Sequence, residues 1–121
     1  MLRLTRLLLL LAFALPSFAQ FPIKGVVELH IWATAKGGEE AALEKTFKEV
    51  FYPAVSSKKG FRSALLMRKP DTPEYTIRLS FDTEKQRENW VASDEHQVAW
   101  PEIQSHCATT KYDGFEVIHP K

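Results

Sequence analysis

Two prolines within four residues, Pro70 and Pro73, stand directly before a run in which Tyr75, Ile77, Leu79 and Phe81 alternate with Thr76, Arg78 and Ser80. Proline has no N–H for a sheet ladder, and Asp71-Thr72 between the two has turn chemistry. Pro70 to Pro73 therefore reads as the loop of a hairpin, with the alternating run as one strand and Phe61 to Lys69 as its partner. Upstream, Val27, Leu29, Ile31 and Ala33 alternate with Glu28, His30, Trp32 and Thr34, which predicts a strand over Val26 to Thr34. Lys36-Gly37-Gly38 ends it. Leu43, Phe47, Val50, Phe51 and Ala54 then recur at helical spacing, beside an i,i+4 pair of Glu44 and Lys48, as far as Ser56 to Gly60.

Thr83-Glu84-Lys85-Gln86 has the spacing of a capping box and opens a helix to about Ser93. Asp94 to Cys107 reads as helical again, with Pro101 kinking it or starting a new turn. Tyr112 to Ile118 is the last strand. The order β-α-β-β-α-β predicts an α+β, ferredoxin-like domain: one antiparallel sheet with its helices on a single face. The strands carry apolar residues on both sides, so the other face needs a cover. A second copy of the chain supplies it most simply, which predicts a homodimer closing a dimeric α/β barrel.

The first nineteen residues do not belong to this domain. Arg3 and Arg6 precede the apolar run Leu7 to Leu15, Pro16 breaks it, and Ser17-Phe18-Ala19 sets small residues for cleavage. That is the pattern of a secretory signal peptide, too short to span a bilayer. Cleavage after Ala19 leaves Gln20 to Lys121 as one domain, secreted or periplasmic and without a membrane anchor.

Composition narrows the chemistry. The 121 residues carry 16 basic and 15 acidic side chains, and a charge of +1 gives no field for nucleic acid. A single cysteine, Cys107, excludes a disulfide framework, and four scattered histidines form no metal motif. No nucleophile elbow, phosphate loop or dinucleotide fingerprint is present.

The most distinctive stretch is Glu88-Asn89-Trp90-Val91-Ala92-Ser93-Asp94-Glu95-His96. A strand ending in an aromatic, a short acidic turn, then a helix with tryptophan, serine three later and histidine three beyond resembles the antibiotic biosynthesis monooxygenase superfamily. Lys36-Gly37 and Lys59-Gly60-Phe61 fall where that family has its glycines. The resemblance covers about Val26 to Ile118. It implies a dimeric α+β barrel with a pocket in each subunit, and cofactor-independent oxygenation of a small phenolic, quinol or polyketide-like aromatic by molecular oxygen, with no metal and no flavin. In that chemistry an easily ionised substrate supplies the electrons, while the protein deprotonates, shapes and excludes water.

Carried onto this chain, the resemblance makes Trp90 a pocket residue and sets His30 about where the haem-degrading branch has a functional asparagine. That branch has its haem-ligating histidine ten residues beyond the tryptophan, where Trp100 stands here. The expected site therefore comprises His30, Trp90 and His96 as catalytic residues, with Trp100, Arg78 and Trp32 contacting substrate. His30 would take the substrate proton, and His96 or Arg78 would hold the anion. Alternation alone does not choose the face of the first strand: if Val27, Leu29 and Ile31 face the helices, His30 faces the dimer interface. A non-catalytic binder of a small aromatic or of haem, a haem-degrading enzyme, and a dimer with a filled pocket, in which Trp90 only packs, are the competing readings.

Overall fold

In a computed structural model, residues 21–120 are described; the expected leader lies outside the described residues. Strand β1 (Val27–Ala35) is central, pairing antiparallel with β3 (Glu74–Phe81) on one side and β4 (Cys107–Glu116) on the other. The edge strand β2 (Phe61–Arg68) pairs with β3, giving the order β2-β3-β1-β4. The Pro70–Pro73 segment is the hairpin loop, closed where Lys69 N–H donates to Glu74 O at 2.9 Å. Asp71 takes φ 61°, a left-handed conformation that aspartate tolerates better than most residues.

Alternation in β1 and β3 buries one face. Val27, Leu29, Ile31 and Ala33 of β1, with Tyr75, Ile77, Leu79 and Phe81 of β3, form the floor of the core. Helices α1 (Glu40–Thr46) and α2 (Tyr52–Ser56) run end to end through a π-helical segment, Phe47–Phe51. This segment sets Phe47 and Phe51 together on the core, ring centroids 5.6 Å apart. The expected Glu44–Lys48 pair does not form. Glu44 turns to the sheet instead, accepting a hydrogen bond from Tyr75 Oη at 2.5 Å and lying 3.8 Å from Arg68 Nη1.

Helix α3 (Glu84–Val91) starts at Thr83, whose hydroxyl oxygen accepts from Gln86 N–H at 3.1 Å, one half of the capping box. The Gln86 side chain does not return to the cap. It lies over Gly60 (φ +85°), where an added Cβ would meet Gln86 Oε1. Helix α4 (Asp94–Ser105) is capped by Ser93 and carries Pro101 within one helix.

β4 begins at Cys107, five residues before the expected start at Tyr112, and the helix ends at Ser105. Cys107 pairs with Ala35 across a bulge, and the β-branched Thr109 and Thr110 extend the ladder along Thr34 and Ala33. Among the described residues no helix is long and apolar enough to cross a membrane.

The outer face of the sheet carries Trp32, Leu65, Met67 and Phe115, each 40–48% exposed. These four span β1, β2 and β4 and form an apolar band that no described element covers.

Candidate functional site

Trp90, Ser93 and His96 follow one another at three-residue steps across the α3–α4 junction. The Ser93 hydroxyl donates to Trp90 O at 2.7 Å and its oxygen accepts from His96 N–H at 3.2 Å, so one serine ends α3 and starts α4. That double cap fixes both rings. Trp90, fully buried, meets the His96 imidazole edge-on, centroids 5.0 Å apart and planes at 84°. Trp100, one turn further along α4, stacks on His96 at 6.5 Å. Phe51 from the π segment closes the group, 5.8 Å from Trp90 and 6.4 Å from Trp100.

These rings wall a cavity of about 220 Å³ between helices and sheet, floored by Leu29, Ile31 and Leu79. Its polar groups are Arg87, His96 and Tyr112. His96 Nδ1 is buried without a hydrogen-bond partner among the described residues. Burial, and then the nearby Arg87 cation, push the imidazole down to about 4. His96 is therefore uncharged at neutral pH, with a lone pair free to accept a proton.

Arg87 itself is buried and held by Glu84 one helical turn back, Nε to Oε1 and Nη2 to Oε2, both at 2.7 Å. Phe21 covers this pair: its ring sits 4.9 Å from the guanidinium and its N–H donates to Glu84 Oε2 at 3.0 Å. Gly114 makes room, since a Cβ there would lie 2.5 Å from the Phe21 ring.

Of the six residues expected in the site, the structure brings together Trp90, His96 and Trp100. The other three stand on the opposite face of the sheet. With Val27, Leu29 and Ile31 directed to the helices, His30, Trp32 and Arg78 necessarily point away from them. His30, Arg78 and Trp32 thus do not line the Trp90 cavity, contrary to expectation. Instead Glu28 gathers them. It accepts from Arg78 Nη2 at 2.9 Å on each oxygen and lies 2.8 Å from His30 Nε2. Burial raises the Glu28 carboxyl, but the hydrogen bonds from Arg78 and His30 outweigh it and hold the group below its ordinary value. His30 also rests on Phe115, centroids 4.5 Å apart.

Arg87 and Tyr112 were not legible as site residues. Glu84 and Arg87 at i,i+3 resemble any solvated helix pair, and Tyr112 reads as strand packing, yet it stands half exposed beside the cavity. His106 is committed elsewhere: its Nδ1 pairs with Glu39 at 2.9 Å and its Nε2 with Thr46 Oγ1 at 3.1 Å. Cys107 is buried, and burial pushes its thiol up. Among the described residues no group of three or more metal-ligating side chains is assembled. A larger hollow of about 570 Å³ lies on the outer face by the hairpin, bordered by Trp32, Met67, Arg68, Lys69 and Lys111. It is framed by long flexible cations, whereas aromatic rings wall the cavity at Trp90.

A four-stranded 2-3-1-4 antiparallel sheet with helices on one face and an aromatic cavity between them defines the ferredoxin-like α+β class. Within that class the fold is that of the antibiotic biosynthesis monooxygenases. The cofactor-independent oxygenase SnoaB from Streptomyces nogalater superposes with a TM-score of 0.71 at 15% identity, over 80% of this chain and 97% of its own. A candidate antibiotic biosynthesis monooxygenase from Bordetella bronchiseptica gives 0.70 at 16%, over 78% and 99%. Another from Nitrosomonas europaea gives 0.71 at 12%, over 83% and 98%. No protein-family model matches the chain, and no curated protein matches it in sequence.

Proposed function

We propose that this protein is an exported, homodimeric, cofactor-independent monooxygenase acting on a small phenol or quinol. The observation that carries the reading is an uncharged imidazole, His96, whose buried Nδ1 has no hydrogen-bond partner among the described residues, set among Trp90, Trp100 and Phe51 in a largely apolar cavity. The fold supports it, being shared with an oxygenase that works without cofactor. The apolar band of Trp32, Leu65, Met67 and Phe115 supports the dimer, and the leader-like first nineteen residues support export.

The chemistry follows from these residues. A hydroxyarene bound between the rings gives its proton to His96. The empty pocket disfavours imidazolium, but the substrate oxyanion formed in the same step compensates it as a close ion pair. The electron-rich anion then reduces molecular oxygen. At the attacked ring carbon one oxygen atom becomes a carbonyl, the other leaves as water, and all the electrons come from the substrate. The apolar ring walls leave few groups to hydrate the charges, keeping the ion pair tight.

Oxygen uptake by the purified protein with hydroquinones, catechols and naphthols, without flavin or metal and against autoxidation controls, tests the reading. Saturable uptake with one labelled oxygen atom per product is expected, and a loss of at least about tenfold in His96→Phe. No uptake above autoxidation with any compound would remove it.

A further inference from the structure

We propose that the Trp90 pocket selects an uncharged arene of one or two rings, whose hydroxyl group stays protonated on entry and donates to the imidazole of His96. This rests on the oxygenase pocket described above but concerns what enters it, and in which charge state.

Size comes first. A cavity of about 150 Å³ lined by apolar side chains holds one benzene ring, so the 220 Å³ between these rings matches a substituted single ring or two fused rings. The facing rings of Trp90, Phe51 and Trp100 offer edges and faces to a flat apolar ligand. Charge comes second. The pocket's cation, Arg87, is held in a two-point contact with Glu84, so its positive charge is largely matched and an entering anion loses its hydration for a reduced return. Hydrogen bonding comes third. No described residue hydrogen-bonds to the His96 ring, and its Nδ1 is buried. At neutral pH the imidazole holds a lone pair that only a donor can satisfy. A protonated hydroxyl meets all three conditions. A phenolate meets the first alone: it brings a charge and has no proton for the lone pair, so its oxygen could only accept from the other ring nitrogen.

The proton thus leaves the ligand only inside the pocket. Affinity should fall, not rise, as a phenol ionises in solution.

Calorimetry under nitrogen, which removes the oxygen reaction, tests this with 1-naphthol, 1-methylnaphthalene, 1-hydroxypyrene and 4-nitrophenol. In the wild type 1-naphthol should bind at least about tenfold tighter than 1-methylnaphthalene. That preference should shrink to about twofold or less in His96→Phe and partly survive in His96→Gln, which keeps an acceptor. 4-Nitrophenol should weaken by about tenfold or more as the pH rises through its own ionisation. 1-Hydroxypyrene should not compete. Equal affinity for naphthol and methylnaphthalene, tighter binding of nitrophenolate than of nitrophenol, or tight binding of the four-ring compound would each overturn the proposal. Naphthol binding with the stated preference but without oxygen uptake would sink the oxygenase reading and leave this one standing.

Discussion

Glu84 and Arg87, one helical turn apart, form a buried two-point ion pair at the edge of the Trp90 cavity, and the ring of Phe21 lies across it. Both side chains are under 10% exposed. Breaking such a pair from one side leaves a buried charge without its match. Arg87→Leu should lower unfolding free energy by about 3–5 kcal/mol in urea titrations. The double variant Glu84→Leu/Arg87→Met should cost less than the single change, because it leaves no orphaned charge.

His96 makes stability depend on pH in a defined window. Its folded value is about 4 against an ordinary 6.5, so the unfolded chain binds the extra proton between the two. The stability tied to the uncharged ring is complete above about pH 6.5 and is lost as pH falls through about 4. His96→Phe should therefore flatten the stability profile between those limits and leave its slope above pH 7 unchanged. Chemical denaturation at closely spaced pH values reads this out. An identical slope in wild type and variant below about pH 6 would contradict the burial of the imidazole.

Gly114 and Phe21 are coupled by contact. A methyl group at Gly114 would sit 2.5 Å from the Phe21 ring and push it off Arg87. Gly114→Ala should cost about 1–3 kcal/mol. Adding Phe21→Ala should cost little more, because the ring has already been displaced. The thermodynamic cycle over the four proteins checks it, and strict additivity would show that the two sites are independent.

The outer band tests assembly. If Trp32 and Leu65 pack against a second copy, Trp32→Glu with Leu65→Glu should give a folded monomer, with circular dichroism unchanged and sedimentation halved in mass. A wild-type chain that sediments as a monomer at about 100 μM would remove the dimer from the proposal.

The architecture was legible in the sequence because its signals are local and redundant. Alternation in Tyr75 to Phe81, the paired prolines before it and the Thr83 cap all depend on near neighbours, and each is realised where expected. The start of β4 was not legible, since the helical pattern of α4 runs on into Cys107 and the stop comes from contact with the end of β1, where Lys36 N–H donates to His106 O and Cys107 pairs with Ala35. Half of the candidate site was readable for a similar reason. Trp90, Ser93 and His96 share one helix junction, so their spacing alone brings the rings together. His30 and Arg78 failed on a choice of sheet face, which alternation states only up to inversion. Arg87 gave no signal at all, because its burial comes from Phe21, far away in the chain, and from Glu84 turning inward with it.

Between Phe47 and Phe51 the helical chain holds one residue more than an α-helix of the same rise requires. Removing a single residue there would let the turn tighten while α1 and α2 keep their mutual phase. The same deletion within α4 would rotate everything beyond it by about 100° and scatter Trp100 away from His96. Length is thus negotiable on one side of the aromatic cavity and rigidly counted on the other.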